Sequence, residues 1–340
     1  MNRRIIICCA AVCFVLAAHG QDTMVERALR QLADSPPVSS DSFDFVVLGD
    51  SRSTEPVVLP EVFHRAIQEW NVLEPAFVID VGDLILGGAA EGLGPQWDEF
   101  ERVTGHSTAP FIPAPGNHDI SDAATEQIYL ERIGRTRFSF DYGNARFIVL
   151  NTEEVGAVNR LSDEQIEWLE EELESAEARH IFIFMHKPYF AFETWDERWS
   201  MVAEVLKGHP VRAVFGSHWH MYRDYGERDG VRYVVTGGGG AEIHYPWEEG
   251  GFPHYLLVRV RGDKVDWAVI EPGSIHSDTV VTAQHVEEIQ KARTEYVRTS
   301  HEVVPYGEPF DRSVKLFIEN PSNAAFASTI EWDIPDGWSV

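Results

Sequence analysis

Cysteine is nearly absent: three residues in 340, at positions 8, 9 and 13. Basic residues are also scarce, with 28 Lys and Arg against 55 Asp and Glu, a formal net charge of −27. Outside the first 20 residues, no apolar run approaches the about 20 residues of a membrane-spanning helix. Each shortage excludes something. Few cations exclude the basic footprint that binds a nucleic-acid duplex or an anionic lipid surface. They also predict a surface field that repels anionic substrates, so phosphate chemistry here would need bound cations.

The cysteines belong to the N-terminus, which has the pattern of an export signal. Arg3 and Arg4 precede an uninterrupted apolar stretch over residues 5–18, and Ala18-His19-Gly20 supplies small residues for cleavage before Gln21. An uncleaved anchor is the alternative. Cleavage would leave a secreted or periplasmic chain with no cysteine and no membrane span. That excludes cysteine proteases, thiolate zinc sites and iron–sulfur clusters. His, Asp, Asn and Glu remain as ligand types.

Residues 21–42 read as a short amphipathic helix and a Ser/Pro-rich linker. From residue 43 apolar strands alternate with amphipathic helices. Strands are expected at 43–49, 76–81, 110–114, 181–185, 211–215, 231–236, 255–260 and 265–270, with a hairpin around Gly143-Asn144. Helices are expected at 57–72, 96–103, from Ser162 through the stripe Ile166, Leu169 and Leu173, and at 197–206. The third has Ser162 as N-cap and Gln165 at the capping-box position. This is a mixed α/β domain over roughly 43–272. Residues 273–300 read as a helical connector. Residues 301–340 alternate like the opening strands of an immunoglobulin-like sandwich but stop short of its usual strand number.

Five of the apolar strands end in metal-ligand residue types: Asp50, Asp83, Asn117-His118, His186, and His218 with His220. Each alone has a plain structural explanation, since Asp after Gly caps turns and a lone His is often a core residue. Five in series at strand carboxyl ends, where open α/β sheets bind ligands, point to a metal site. His218-x-His220 would place both imidazoles on one face of an extended chain.

In these motifs the chain resembles the calcineurin-like metallophosphoesterases, a family shared with purple acid phosphatases. Their pattern GDxH, GDxx, GNH[DE], H and GHxH stands here as Gly49-Asp50-Ser51-Arg52, Gly82-Asp83-Leu84-Ile85, Gly116-Asn117-His118-Asp119, His186 and Ser217-His218-Trp219-His220. The resemblance implies a four-layer αββα sandwich of two mixed sheets flanked by helices. It implies two Mn, Fe or Zn ions bridged by Asp83. Asn117, His186 and His218 complete one site, and Asp50 and His220 belong to the other. It further implies a phosphoester substrate attacked in line by a metal-bridging hydroxide, with His118 placed to stabilise the transition state or protonate the leaving oxygen, and Asp119 is the natural group to orient His118.

Two positions depart from the pattern. Arg52 replaces a histidine ligand, and arginine stays protonated and cannot ligate. The first site is therefore expected to be weak or open. Arg52 either binds a substrate phosphate oxygen or pairs with Asp50 or another local carboxylate. Ser217 replaces glycine, with little effect expected. Gly237–Gly240 lacks the Gly-Lys-Ser/Thr of a phosphate loop and reads as a flexible loop bordering the cleft. His244 and His254 read as wall or core residues. Tyr189, Trp195 and Trp219 are candidates for lining a pocket, or for ordinary packing. The readings that compete with the two-metal hydrolase are a non-catalytic metal-binding or surface-binding protein of the same fold, and a hydrolase using a single metal.

Overall fold

The computed structural model describes residues 22–157, 159–191, 199–299 and 316–319. Helix α1 (Met24–Asp34) leads to β1 (Ser42–Leu48), α2 (Glu61–Leu73), β2 (Val78–Asp80), α3 (Leu93–Thr104) and β3 (Phe111–Pro113). Then follow α4 (Ala123–Arg132), the hairpin β4 (Phe138–Tyr142) and β5 (Ala145–Val149), α5 (Asp163–Ser175), β6 (His180–Phe184) and α6 (Trp199–Leu206). Strands β7 (Val211–Gly216), β8 (Tyr222–Arg228), β9 (Val231–Thr236), β10 (Tyr255–Arg261), β11 (Lys264–Glu271) and β12 (Ser274–Ser277) complete the sheets. Helix α7 (Ala283–Lys291) precedes a small pair, β13 (Val297–Thr299) and β14 (Leu316–Ile318).

The main strands form two six-stranded mixed sheets, ordered β12-β11-β10-β1-β2-β3 and β4-β5-β6-β7-β9-β8. Their packing follows from side-chain alternation. Strand β6 is buried throughout and apolar after its first residue, His180. Phe182 and Phe184 enter the core between the sheets, while Ile181 and Ile183 enter the layer under α5 and α6. Period-2 geometry thus divides one run between two cores, which is why the strand shows no polar face. Aromatic rings join the sheets: Phe45 lies 5.2 Å from both Phe147 and Phe182, and Phe215 lies 5.5 Å from Trp267. On the far side of the first sheet, Phe63 and Trp70 of α2 and Phe100 of α3 pack on Phe111. The result is the αββα layering expected from the motifs.

Several elements differ from the sequence reading, each for a local reason. The helix expected from residue 57 starts at Glu61, with Pro60 at its N-cap. A residue before proline avoids the helical region, so Leu59 stays outside. Helix α4 was not expected, because it buries only Thr125 and Tyr129. Its signal is its cap: the Asp122 carboxylate accepts from the Ala124 and Thr125 amides at 2.9 Å. Ser162 caps α5 as expected, accepting from Gln165 N–H at 3.2 Å. The Gln165 side chain, however, turns inward and brackets the Asn151 backbone, accepting from its N–H at 2.7 Å and donating to its carbonyl at 2.9 Å. Strands β8 and β12 were missed as well. Both are sheet edges: β8 carries four charged residues, and β12 is a mostly exposed Ser-Ile-His-Ser.

The expected signal segment, Trp195 and the expected strand near 328–333 lie outside the described residues. Among the described residues, no helix is long and apolar enough to cross a membrane.

Candidate metal centre

Strand order brings the distant motifs together. Strands β1, β2 and β3 are parallel neighbours in one sheet, and β6 and β7 are parallel neighbours in the other. Their carboxyl ends meet across the sandwich. Ser217 Oγ donates to the Val81 carbonyl at 3.0 Å, and His218 N–H donates to Asp50 Oδ2 at 2.7 Å. Asp50, Asp83 and His218 all have left-handed backbones, with φ of 57°, 60° and 69°. That conformation costs a non-glycine residue about 1–2 kcal/mol and concentrates at functional sites. Gly116 allows the closest approach: a Cβ there would sit 2.2 Å from the Asp83 amide nitrogen.

The donor set follows from the tautomers. His186 Nδ1 lies 3.0 Å from the Val81 carbonyl. A carbonyl only accepts, so Nδ1 carries a proton and Nε2 is the ring nitrogen that faces the site. That Nε2 lies 3.1 Å from Asn117 Oδ1 and 3.2 Å from both Asp83 Oδ1 and His218 Nδ1. Burial, with His186 next in importance, lowers the His218 pKa to about 3, which keeps it a neutral donor. Nitrogen and oxygen atoms converging on one point are what a cation site requires, and such mixed donors suit Mn, Fe or Zn.

A second group lies beside the first. Asp50 Oδ1 is fully buried and has no hydrogen-bond partner among the described residues. His220 Nε2 lies 3.4 Å away, and its Nδ1 is held 2.6 Å from the Glu242 carbonyl. The ligand atoms of Asp50, Asp83 and His220 lie within 4.8 Å of one another, as do those of Asp83, His186 and His218. Asp83 is common to both groups. Burial raises its pKa, but His186, His118 and Arg52 outweigh that and leave it below the ordinary value. The residues present therefore fit metal ions at both positions.

The remaining expected site residues take clear places. Arg52 pairs with a carboxylate, and the partner is Asp83 Oδ2, 3.4 Å from Nε. His118 N–H donates to Asp83 Oδ1 at 2.9 Å, and its ring Nδ1 lies 2.6 Å from the Leu86 carbonyl. Nδ1 therefore holds a proton, and the partly exposed Nε2 is left 3.8 Å from Asp83 Oδ2. Asp119 does not reach that ring. It is fully buried and accepts from four backbone amides, those of Asp83, Leu84, Ile85 and Gly116, at 2.8–3.2 Å. Burial and then Asp83 push its carboxyl well above the ordinary range, while the amides pull it back.

Ser217 does more than its size suggested, because its hydroxyl also lies 2.9 Å from His186 Nδ1. Asp80, which the motifs do not include, sits fully buried behind the site, and among the described residues neither carboxylate oxygen has a hydrogen-bond partner within ordinary geometry. The glycine run is packed rather than loose. Gly239 N–H donates to Gly49 O and Ala241 N–H to Asp50 O, at 2.9 and 2.8 Å, so the run buttresses the Asp50 loop. His244 is exposed and stacks on His220 with ring centroids 5.5 Å apart. Tyr189 is buried, and Trp219 packs partly on the outer core.

His254 is a core residue between the Phe252 carbonyl and the Thr236 hydroxyl, at 2.9 and 3.1 Å. Burial lowers its pKa to about 4. An unfolded His titrates near 6.5, so the unfolded chain binds the extra proton between those values and stability falls with acidification. This residue should contribute about 3 kcal/mol above pH 6.5, lost progressively as pH drops through 4. Urea unfolding of wild type and His254→Asn at pH 7 and pH 4.5 checks this. The variant should show a smaller pH difference, and an equal one excludes the assignment.

Two mixed sheets whose strand ends gather carboxylate, amide and imidazole donors define a metal-site α/β sandwich. Residues 43–222 match the family model of the calcineurin-like phosphoesterases, and the chain belongs to that family. No curated protein matches it in sequence. Among solved structures it is similar to the purple acid phosphatase from yellow lupin (Lupinus luteus) seeds, at 18% identity and a TM-score of 0.57, covering 72% of this chain. The match spans 54% of the lupin chain, about half its length. It is also similar to a dimetal phosphatase from Danio rerio, at 13% identity and TM-score 0.54 over 68% of this chain and 96% of the other. A third is GAP50, the anchor in the inner membrane complex of Plasmodium, at 14% identity and TM-score 0.53 over 79% and 99%.

Proposed function

We propose that this chain is an exported, metal-dependent phosphoester hydrolase, acting outside the cytoplasm as a secreted or periplasmic protein. The observation that carries the activity is the convergence of Asp83 Oδ1, Asn117 Oδ1, His186 Nε2 and His218 Nδ1 on one point. Asp83, Asn117, His186 and His218 would hold one ion, and Asp50, Asp83 and His220 a second. Bound ions would supply Lewis acidity to a phosphoryl oxygen and lower the pKa of water.

The other residues act on the substrate directly. Among the described residues the Arg52 Nη atoms have no hydrogen-bond partner, so the guanidinium fork is available to a phosphate oxygen. His118, its Nδ1 fixed by Leu86, offers Nε2 at the mouth of the site to protonate the leaving oxygen. Four buried amides on Asp119 keep the Asp83 and Asn117 loops in register. Metal analysis of the purified protein, with hydrolysis of mono- and diester substrates with and without chelator, tests the reading. At least one ion per chain and turnover abolished by chelator are expected. Metal without turnover would favour the non-catalytic alternative, and neither would exclude both.

A further inference from the structure

The two candidate cation positions are not equivalent, and the difference centres on Arg52. Pairing of β1 with β2 continues past the strand ends: Val81 N–H donates to Leu48 O, Asp50 N–H to Gly82 O and Arg52 N–H to Asp83 O, at 2.8, 2.8 and 3.0 Å. Residue 52 is thereby fixed opposite Asp83 by main-chain bonds. Its guanidinium is mostly buried, and Nε donates to Asp83 Oδ2 at 3.4 Å. One oxygen of the shared carboxylate thus faces His186 and Asn117, and the other faces a permanent cation.

The consequences for the two groups are opposite. Around Asp83 Oδ1, Asn117, His186 and His218 supply donors with no competing positive charge within the cluster. Around Asp50 and His220, three of the described residues supply Asp or His ligands, and one of them, Asp83, already pairs with Arg52. Arginine cannot lose its proton to become a ligand. Asp50 Oδ1, buried and 3.4 Å from His220 Nε2, still marks this second position as one for a cation.

Resting on the metal-dependent reading above, we propose that Arg52 competes with metal for Asp83. The Asp83–Asn117–His186–His218 position then keeps a resident ion, while the Asp50–Asp83–His220 position binds a second ion weakly and exchangeably. Displaced from Asp83 when that ion binds, the guanidinium becomes a contact for a phosphate oxygen.

Titration of the metal-free full chain with Mn²⁺ alone, by calorimetry, with metal content counted after desalting, tests this without reference to activity. Wild type should retain one ion and bind a second at least about tenfold more weakly. Arg52→Met should narrow that gap by about tenfold or more, and Arg52→His, which adds a donor, should narrow it further. Arg52→Lys, which keeps the cation, should leave the second ion weak. If the methionine variant does not fold, Arg52→Gln takes its place. Two ions of equal affinity in wild type, or a second affinity unmoved in the uncharged variants, overturns the proposal. No Mn²⁺ binding together with no chelator-sensitive turnover overturns the phosphoester hydrolase reading instead.

Discussion

Replacing Asp83 with asparagine should reduce hydrolysis by about 1,000-fold or more and strip bound metal at the same time. The substitution keeps the shape and an oxygen able to accept from His118 N–H, which lies 2.9 Å away. It removes the one negative charge common to both groups of candidate ligands. Loss of an outer partner of a metal ligand already costs 10- to 100-fold in affinity, and Asp83 is itself a candidate ligand. Arg52, His118 and His186 would then face a neutral amide. The damage should be confined to the site. In the presence of chelator, the melting temperatures of variant and wild type should differ little, because the amide retains the backbone contact. Metal content and kcat/KM measured on the same preparations decide the matter. An Asp83→Asn protein that keeps its metal and its turnover would remove Asp83 from the centre and undo the assignment of both positions.

That Asp83 is identifiable from sequence reflects how the fold builds the site. Strands β1, β2, β3, β6 and β7 are buried on both faces, so each reads as an apolar run, and the first polar residue past its end stands out. Asp50, Asp83, Asn117, His186 and His218 were legible for this reason. The layering was legible too, because only covered sheets produce such runs. What sequence did not reveal depends on geometry rather than residue type. The groups that hold the His118 and His220 rings are the carbonyls of Leu86 and Glu242, and every residue has a carbonyl. Helix α4 and the edge strands β8 and β12 bury too little to leave a periodic trace. The glycine run looked flexible because glycine permits flexibility, yet its amides are tied to Gly49 and Asp50. Arg52 was read as a departure from a pattern. Only the continuation of β1–β2 pairing shows that the departure lands on Asp83.

Asp119 separates two explanations of a residue that sits beside His118 in sequence. If it oriented His118, Asp119→Asn would shift the pH–rate profile and leave folding intact. Its contacts argue otherwise. Oδ2 accepts from the Asp83 and Gly116 amides at 3.0 and 2.8 Å, and Oδ1 from Leu84 and Ile85 at 3.0 and 3.2 Å. These bonds tie the loop after β2 to the loop after β3. Asparagine can still accept two of them, but its NH₂ would confront the other two donors. Alanine would leave all four amides without an acceptor in a fully buried place. Each such orphan costs about 1–3 kcal/mol before relaxation. Allowing for loop movement and water entry, Asp119→Ala should lose about 3–5 kcal/mol, and Asp119→Asn about 2 kcal/mol. Denaturant unfolding with chelator present isolates this loss from any metal effect. With Mn²⁺ added, both variants should also bind the ion more weakly, since Asp83 and Asn117 ride on the two loops. Undiminished stability in chelator, joined to a displaced pH–rate profile, would return Asp119 to the orienting role and leave the register of the two loops to their strands.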